Sequence, residues 1–258
     1  MSTNNTAATD FEYNKIGNIT YFGNNTPYNY VTRHSGCGAQ PPHAQPQAVK
    51  QIGNNYYCYD NNGNMSKRVE GGVTYTQNFN VENELSSVAI SGQTTSFTYD
   101  AAGIRVKTVH PGGKTSYYPF PGYEEEVNGS TTTRRVTYAV AGQTVALRVQ
   151  VVGSSNNTLY YLHSDHLGST SLATTTAGAV VSCSTSRYHP FGSFRTTPTA
   201  GLTDVGFTGH RHNNLGAGDL GLVYMGARFY LPYINQFWHR PAAKPDSRST
   251  RFYATLSP

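Results

Sequence analysis

The chain has 258 residues, among them 20 Tyr, 11 Phe, 26 Gly and 13 Pro, a composition typical of short strands separated by turns. Only 13% of the residues are charged and the formal net charge is +5, which argues against a nucleic-acid partner. No segment has apolar side chains at helical spacing, no apolar run is long enough to span a membrane, and the amino terminus lacks the pattern of a signal peptide. We therefore predict an all-β protein with no membrane span and no export signal in this chain.

A turn preceded by an aromatic residue repeats along the chain. It begins at Tyr59, Phe79 and Tyr99, a step of 20 residues, and a fixed short period indicates a repeat architecture. Asp or Asn accepts local backbone hydrogen bonds in such a turn and Gly supplies positive φ, so each unit is predicted to be a β-hairpin. One hairpin is marginal in water, so the units must pack together. The structural candidates in two copies are Tyr59, Asp60, Gly63, Tyr99, Asp100 and Gly103.

Further copies extend the repeat region from residue 1 to about residue 159. Tyr13 with Gly17, and Tyr138 with Gly142, keep the interval between the aromatic residue and the glycine. Residues 36–47, GCGAQPPHAQPQ, interrupt the spacing and are predicted to form a loop or insertion. The predicted sheet would be open at both edges unless something else covered them.

The three cysteines do not define a disulfide framework. Cys37, Cys58 and Cys183 are an odd number without metal-binding spacing, and connectivity cannot be derived from them. One bridge is compatible with the sequence, but we expect free, buried cysteines.

From residue 160 the loose repeats give way to specific strings. They are YYLHSDHLGSTS (160–171), AGAVV (177–181), RYHPFG (187–192), GFTGHRHN (206–213) and DLGLVYMGARFYLPYINQFW (219–238). In this order, and with the repeats upstream, they resemble the Rhs and YD-repeat proteins, in particular their repeat-associated core domain. The core residues that we single out are Tyr161, His163, Asp165, His166, Gly168, Tyr188, Pro190, Gly192, Gly221, Arg228 and Tyr230.

The resemblance covers nearly the whole chain and divides it into YD-type repeats (1–159), the core (160–238) and a degenerate tail (239–258). It implies a hairpin ribbon that curls into a hollow shell, with the core plugging one end. Full-length relatives enclose a variable carboxyl-terminal polypeptide, often a toxin, and are exported or displayed at the cell surface. A complete shell needs many more repeats, so this chain is expected to be the last portion of one. Packing along the sheet is expected for Tyr59, Tyr99, Tyr161 and Tyr188, and turn positions for Gly63, Gly103, Gly168 and Gly192.

Many relatives cleave themselves after the core with paired aspartates, one ionised to activate water and one protonated to donate to the carbonyl. The family pattern is roughly GLYYxxARYYDPxxGRFxxxDP. Here Leu231 replaces the first aspartate, and Arg240-Pro241 stands where the second Asp-Pro belongs. Asp219 and Asp246 are the nearest acids, and neither fits the motif. The residues after Pro241 are too few for a toxin domain, so we expect no self-cleavage, no cargo and no enzyme activity.

His163, Asp165 and His166 are the best rival motif, since two His and an Asp at short spacing can bind a metal or form an acid–base set. On a strand, His163 and Asp165 would share a face and His166 would point away, so one ion would reach all three only across a turn. The alternative is a structural turn in which Asp165 holds the backbone and Gly168 permits the bend. The resemblance favours the turn.

The sequence therefore predicts a non-catalytic structural fragment of an Rhs/YD-repeat shell that encloses or presents a polypeptide, at the cell surface or outside the cell. Its partners would be the remaining repeats of a longer or neighbouring chain and an enclosed polypeptide. In isolation it should self-associate through its open edges. Two alternatives are an aspartyl self-cleaving toxin-delivery protein and an adhesion module that binds carbohydrate or protein. No cofactor or metal is predicted, and His210 and His212 are expected to be surface residues.

Overall fold

The computed structural model describes residues 11–22, 27–39, 45–213, 220–226 and 228–237. Strands make up 50% of the structure and helices 4%, and the helical residues form three short 3-10 turns. The predicted all-β fold class is confirmed. Its physical basis is the alternation of β-branched or aromatic residues with small polar ones, in short segments that end at Gly, Asn or Asp.

Strands β1 and β2 form a separate hairpin, and β3 to β16 form one antiparallel sheet of 14 strands, which we call the long sheet. Every strand of the long sheet pairs only with its neighbours in sequence. The bounds are β1 (Phe11–Tyr13), β2 (Ile19–Phe22), β3 (Tyr28–Asn29), β4 (Gln51–Ile52), β5 (Asn55–Tyr59), β6 (Met65–Glu70), β7 (Val73–Phe79), β8 (Leu85–Ile90), β9 (Gln93–Tyr99), β10 (Arg105–Val109), β11 (Thr115–Tyr117), β12 (Tyr123–Asn128), β13 (Thr131–Val140), β14 (Gln143–Val151), β15 (Asn157–Ser164) and β16 (Thr170–Thr175).

Two small sheets follow the long sheet. Strands β17 and β18 form a hairpin, and β19 to β22 form a four-stranded antiparallel sheet, which we call the carboxyl-terminal sheet. The bounds are β17 (Arg187–Tyr188), β18 (Phe194–Thr196), β19 (Arg211–His212), β20 (Val223–Tyr224), β21 (Phe229–Leu231) and β22 (Gln236–Phe237), and the 3-10 turns are Ser35–Cys37, Pro111–Gly113 and Phe207–Gly209.

Two kinds of turn alternate in the repeats of the long sheet. Between β6 and β7, Gly71 and Gly72 have φ of 57° and 81°, the left-handed pair of a two-residue hairpin turn. Ser91 and Gly92 repeat this turn between β8 and β9, with φ of 49° and 81°. The aromatic-Asp turns join the opposite ends of the strands. One period of 20 residues therefore corresponds to two strands and two turns.

The main hydrophobic core lies between the early strands of the long sheet and the carboxyl-terminal sheet. Each contributes fully buried side chains, and the rings of Phe97 in β9 and Phe229 in β21 have centroids 5.2 Å apart. Other core members are Tyr57, Met65, Leu85 and Val88 from the long sheet, and Leu220, Leu222, Leu231 and Ile234 from the last part of the chain. Burial of such side chains contributes about 1.5–3 kcal/mol each, so this contact is a major source of stability.

The two edges of the long sheet differ. Beyond β16, the following segment folds back onto the edge: the Val181 N–H donates to the Ala173 carbonyl at 2.9 Å, and the Ser186 N–H donates to the Ser171 carbonyl at 2.7 Å. Strand β3 has two residues, and no other described strand pairs with its outer side. Of the two open edges that the sequence predicted, the β16 edge is therefore covered by the chain itself.

The cysteine prediction was wrong. Cys37 and Cys58 form a disulfide, with Cα atoms 5.2 Å apart, and the free Cys183 is exposed. The loop around Cys37 folds against strand β5, which brings together two residues 21 positions apart. This proximity arises from tertiary packing, so the spacing of the cysteines could not reveal it.

The long sheet crosses the boundary predicted between residues 159 and 160 without a break, because β15 spans Asn157–Ser164. The division into repeats and core stays a prediction. The tail at 239–258 lies outside the described residues, as does the middle of the loop at 36–47. The described part of the chain contains no helix with the length and hydrophobicity required to cross a membrane.

Candidate functional site

The turn at Asp60 is a hydrogen-bonded unit built from its own side chain. Its carboxylate Oδ1 accepts the backbone N–H groups of Asn62 and Asn64, each at 2.9 Å, and its carbonyl accepts the Gly63 N–H at 3.1 Å. Gly63 has a φ of 89°, which an L side chain rarely adopts. The aspartate and the glycine are therefore required by the geometry of the turn.

The same unit recurs at Asp100 and Asp165. In each, Oδ1 accepts the backbone N–H groups two and four residues further on, at 2.8–2.9 Å. Gly103 and Gly168 lie at the positive-φ position, with φ of 77° and 80°. Turns of neighbouring repeats also touch, since a Cβ at Gly103 would lie 2.7 Å from Glu84 Oε1. The turns therefore stack along one end of the sheet.

The tyrosines of the motif differ from one another in burial. Tyr59 donates to the Val49 carbonyl at 3.0 Å and Tyr99 to the Leu85 carbonyl at 2.7 Å, so each fastens its hairpin to an earlier strand or loop. Tyr161 is 45% exposed, and the expectation that it packs in the sheet was wrong. The next residue of β15, Leu162, points to the opposite face and is buried.

The rival motif of His163, Asp165 and His166 is spread over a strand and a turn. His163 is exposed, with Nε2 3.0 Å from Thr174 Oγ1, and His166 is exposed in the turn. The Asp165 Oδ1 accepts hydrogen bonds from the backbone N–H groups of its own turn. Within the described ranges, no group of three His, Cys, Asp or Glu side chains is arranged to hold a metal.

The string around Tyr188 forms an aromatic contact. The Tyr188 ring lies 5.0 Å from Phe194 and 5.7 Å from Phe207, centroid to centroid. Gly192 lies so close that a Cβ there would be 2.5 Å from Phe207 Cδ1, and it has a φ of 87°. Pro190 is exposed in the turn before it. Only glycine fits at residue 192.

The last string supplies the carboxyl-terminal sheet. Gly221 has a φ of 61°, the Arg228 guanidinium carbon lies 3.9 Å from the Phe237 ring centroid, and the Tyr230 hydroxyl donates to the Phe191 carbonyl at 3.0 Å. These residues shape and fasten the small sheet.

Leu231, which stands where relatives carry the first aspartate, is fully buried in the main core. It packs among apolar side chains, where an ionised carboxylate would be costly. Asp219, Arg240, Pro241 and Asp246, which the sequence also singled out, lie outside the described residues.

A set of charged side chains and their hydrogen-bond and ring partners joins the long sheet to the carboxyl-terminal part of the chain, and we call it the sheet interface. Its members are Arg68, Glu70, Arg105, Glu124 and Arg135 from the long sheet, and Leu202, Asp204, Arg211, Asn213, Leu220 and Tyr224 from the later residues. Arg105 follows a repeat turn and Arg211 belongs to the string GFTGHRHN, but the sequence predicted no contact between the sheets for any residue of this set.

Arg68 is the most deeply buried member, with a side chain 1% exposed. Its Nη1 lies 2.6 Å from Glu70 Oε2, and its Nη2 donates to the Leu220 carbonyl. The guanidinium carbon lies 3.8 Å from the Tyr75 ring centroid. Charge-assisted and ring contacts together compensate for the loss of hydration, so Arg68 connects strand β6 directly to the segment before β20.

Arg105 makes the equivalent connection from strand β10. It is 2% exposed, its Nη1 donates to Asn213 Oδ1 at 2.6 Å, and its backbone N–H donates to the Tyr224 hydroxyl at 2.8 Å. The guanidinium carbon lies 4.4 Å from the Tyr224 ring and 4.9 Å from the Tyr118 ring. In the described part of the chain, no carboxylate forms a salt bridge with it, so ring faces hold the charge.

Glu124 is the centre of an ion network. Its two oxygens lie 2.7 Å from Arg211 Nη1 and 3.1 Å from Arg135 Nη1. Arg211 also lies 2.5 Å from Asp204, and Arg135 Nε donates to the Leu202 carbonyl at 3.0 Å. Both long-sheet residues therefore contact the later part of the chain.

Burial raises the pKa of the Glu124 carboxyl, and the nearby Asp204 raises it further, while Arg211 and Arg135 oppose both effects. Burial lowers the pKa of the neighbouring His110 to about 4. Paired carboxylates with different environments are typical of acid–base chemistry, but here the same guanidinium group bonds both. The arrangement is suited to holding two layers together.

A repeat comparison could have identified one of these arginines. Arg105 occupies the position that Leu85 holds one period earlier and Met65 two periods earlier, and all three are buried. A charged residue at a position that is apolar in the other repeats indicates a polar partner from outside the repeat. Arg68 similarly corresponds to Val88. Leu220 and Asn213, the partners of these arginines, lie outside the repeats and cannot be identified by this comparison.

His212 corrects another expectation, because it is 3% exposed. Its Nε2 accepts the Phe207 N–H at 2.9 Å, and its ring lies 4.9 Å from Phe194, centroid to centroid. Strand β19 pairs with β20 in the interior, so the side chain of His212 enters the aromatic contact around Tyr188.

Residues 79–115 match the family model RHS Repeat. The fold is similar to a crystal structure of TcdB2-TccC3, with 17% sequence identity, a TM-score of 0.53, and coverage of 90% of this chain and 16% of that chain. It is also similar to the Photorhabdus luminescens Tc holotoxin pore with a substitution in TccC3, with 16% identity, a TM-score of 0.54, and coverage of 91% and 15%. A comparison with curated proteins gives no match.

The chain thus spans about a sixth of the length of these structures, and the similarity concerns the fold. The matched segment includes the turn at Asp100 and the interface residue Arg105, both placed above. The resemblance inferred from the sequence is confirmed: residues 79–115 form an RHS repeat, and the long antiparallel sheet has the fold seen in TcdB2-TccC3.

Proposed function

We propose that this chain forms one section of the wall of an Rhs-type shell, with a structural role of enclosing or presenting a polypeptide. The RHS repeat and the shared fold support this role. Its partners are further YD repeats, from a longer chain or a neighbouring one, and the enclosed polypeptide. In this proposal, residues 160–238 act as the core that closes one end.

The observation that carries the proposal is the difference between the two edges of the long sheet. Residues 179–186 cover the β16 edge with backbone hydrogen bonds, whereas β3 is the last described strand at the other edge. A sheet covered at one edge can be extended only at the other. Additional repeats would therefore join on the amino-terminal side, at the edge formed by β3 and the β1–β2 hairpin that contacts it.

The sheet interface supports the closing role of the carboxyl-terminal sheet. Arg68 and Arg105 reach from the repeats to Leu220 and Asn213, so the core domain is fastened to the wall by buried, charge-assisted bonds. Such bonds are directional and need fixed partners. The core therefore occupies one defined position on the wall.

We further propose that the chain does not cleave itself. Leu231 takes the place of one family aspartate and is buried in the apolar core. The acids Glu124 and Asp204 are bonded to Arg135 and Arg211, which suits a structural network. The Cys37–Cys58 disulfide supports a place outside the cell or at its surface, since disulfides persist in oxidising compartments.

The wall proposal predicts association through the β3 edge. Val31 is 86% exposed beside β3, and Val81 is 97% exposed in a turn between interior strands. Light scattering after gel filtration should show an average molecular mass that increases with protein concentration. Val31→Lys should reduce this increase, because a charge beside an edge strand opposes strand pairing. Val81→Lys is the matched control and should leave the concentration dependence of the mass unchanged. A monomeric wild type, or equal effects of both variants, would contradict the proposal.

The absence of self-cleavage is tested separately. The purified chain is incubated for days between pH 4 and pH 8, and its intact mass is followed. A constant mass is expected. A shorter product with a single new carboxyl terminus would contradict the proposal.

One observation favours a second function, adhesion. Tyr138 and Tyr161 both face Ala146 across adjacent strands, so they share one face, and they are 43% and 45% exposed. Exposed tyrosine rings in a row can stack on sugar rings. A glycan array with the wild type and Tyr161→Ala tests this, and a blank array for the wild type would remove adhesion to carbohydrate.

A further inference from the structure

The dipeptide Asn-Gly occurs twice in the chain, at Asn62-Gly63 and at Asn128-Gly129. The first copy lies in the turn between β5 and β6, and the second lies where β12 passes into β13. Such a dipeptide is chemically labile, because glycine has no side chain to shield its backbone nitrogen, and this nitrogen can attack the amide carbon of the asparagine side chain before it. The two copies share this reactivity, so the fold decides which of them reacts.

The first copy is held by the turn at Asp60. The Gly63 N–H, which carries the attacking nitrogen, donates to the Asp60 carbonyl at 3.1 Å. The backbone N–H groups of Asn62 and Asn64 both donate to Asp60 Oδ1 at 2.9 Å. The nitrogen can turn toward the asparagine side chain only after these bonds break. The Asp60 turn therefore protects Asn62.

The second copy lacks these bonds. Asn128 and Thr131 are the last pair between β12 and β13, so Gly129 and Ser130 form a two-residue hairpin turn, with a φ of 59° at Gly129. Within the described ranges, neither the Asn128 side chain nor the Gly129 N–H has a hydrogen-bond partner. Asn128, Gly129 and Ser130 are all exposed. Exposed strand ends open at low free-energy cost, so the nitrogen can reach the amide carbon here.

We infer that Asn128 is a site of spontaneous deamidation and that the fold protects Asn62 from the same reaction. The Gly129 nitrogen gives its proton to a base in the solvent and forms a bond with Asn128 Cγ. The bond between Cγ and the amide nitrogen breaks, and ammonia leaves with a proton from water. Water then opens the cyclic imide at either carbonyl and gives aspartate or isoaspartate. The product carries one more negative charge, and no peptide bond is lost, so the inference is independent of the wall proposal.

Incubation of the purified, oxidised chain tests the site. The chain is held at pH 7 and pH 9, in buffer and in urea, and conversion at each asparagine is measured by peptide mass after digestion at mildly acidic pH. In urea, Asn62 and Asn128 should convert at similar rates. In buffer, Asn128 should convert about tenfold faster, because the Asp60 turn must first lose several hydrogen bonds. The rate should be higher at pH 9, and methylation by an isoaspartate methyltransferase should label the Asn128 peptide.

Three variants separate the causes. Asn128→Gln should abolish conversion at this site, because the longer side chain would have to close a larger ring. Asp60→Ala should raise conversion at Asn62 toward that at Asn128, whereas Asp100→Ala, in a turn without Asn-Gly, should not. An equal rise in both aspartate variants would contradict local protection.

Two results with the wild type alone would overturn the inference. One is equal conversion at Asn62 and Asn128 in buffer. The other is no conversion at Asn128 in buffer while the chain in urea converts there. Neither result depends on the folding of a variant.

Discussion

Arg211 Nη1 lies 2.7 Å from Glu124 Oε2, although 87 residues separate the two in sequence. Glu124 belongs to strand β12 of the long sheet and Arg211 to strand β19 of the carboxyl-terminal sheet. Their side chains are 8% and 20% exposed. Disruption of this pair therefore tests how much the contact between the two sheets contributes to stability.

Removal of one partner should weaken docking strongly. We expect Arg211→Gln to lower the free energy of unfolding by about 3 kcal/mol, because the buried Glu124 loses a counterion. Urea denaturation followed by circular dichroism gives the value. Arg134→Gln is the control, since Arg134 pairs with Glu125 on the surface and should change little. Equal effects of the two variants would show that the Glu124 network does not stabilise the fold.

Gln77 offers a stabilising substitution. It is 2% exposed in strand β7, it lies opposite Val88, and neither amide atom has a hydrogen-bond partner among the described residues. Gln77→Leu should raise the free energy of unfolding by about 1–2 kcal/mol, because an unsatisfied buried polar group is costly. The same change at the exposed Gln93 should have little effect. A loss of stability in Gln77→Leu would contradict the prediction.

Reduction should destabilise the chain through the Cys37–Cys58 bridge. The bridge closes a loop of 21 residues, and the constraint on the unfolded chain is worth about 3 kcal/mol. The melting temperatures with and without dithiothreitol measure the loss of stability on reduction. Cys58→Ala should melt at the temperature of the reduced wild type. Cys183→Ser is the control and should melt like the wild type. If reduction does not change the melting temperature, the bridge is absent or without effect.

The stability of the folded protein should decrease as the pH is lowered, because of His110. Burial is the largest cause that lowers its pKa to about 4 in the folded protein, with Lys114 and Arg105 acting in the same direction and Glu126 and Asp204 opposing. The unfolded value is near 6.5, so the folded state binds fewer protons between these values. The contribution of His110 is therefore complete above about pH 6.5 and is lost as the pH falls toward 4.

Urea midpoints at pH 7, 5.5 and 4.5 measure this loss. His110→Gln should flatten the profile over that range, whereas His163→Gln, at an exposed position, should leave the slope unchanged. A wild-type profile as flat as that of His110→Gln would show that folding does not lower the pKa of His110.

The sequence predicted local structure well and tertiary contacts poorly, for a physical reason. The turn at Asp60 depends on neighbouring residues, so aspartate and glycine at fixed spacing indicate it directly. The bond between Arg105 and Asn213 joins positions 108 residues apart, and nothing in either local sequence encodes the other. The Cys37–Cys58 disulfide was missed for the same reason. Tyr161 was misjudged because the repeat pattern gives the position of a residue but not which face is covered.

The neighbour-to-neighbour order of the long sheet has a consequence for biosynthesis. Strands β3 to β16 need no distant partner, so each hairpin can pair as it leaves the ribosome. Arg68 and Arg105 are exceptions, because Leu220 and Asn213 are translated much later. During that interval their guanidinium groups remain hydrated beside an uncovered apolar face. Arrival of the carboxyl-terminal sheet would then be the single late event, and a nascent chain halted before Arg211 would display a finished sheet with an exposed core, a natural substrate for chaperones.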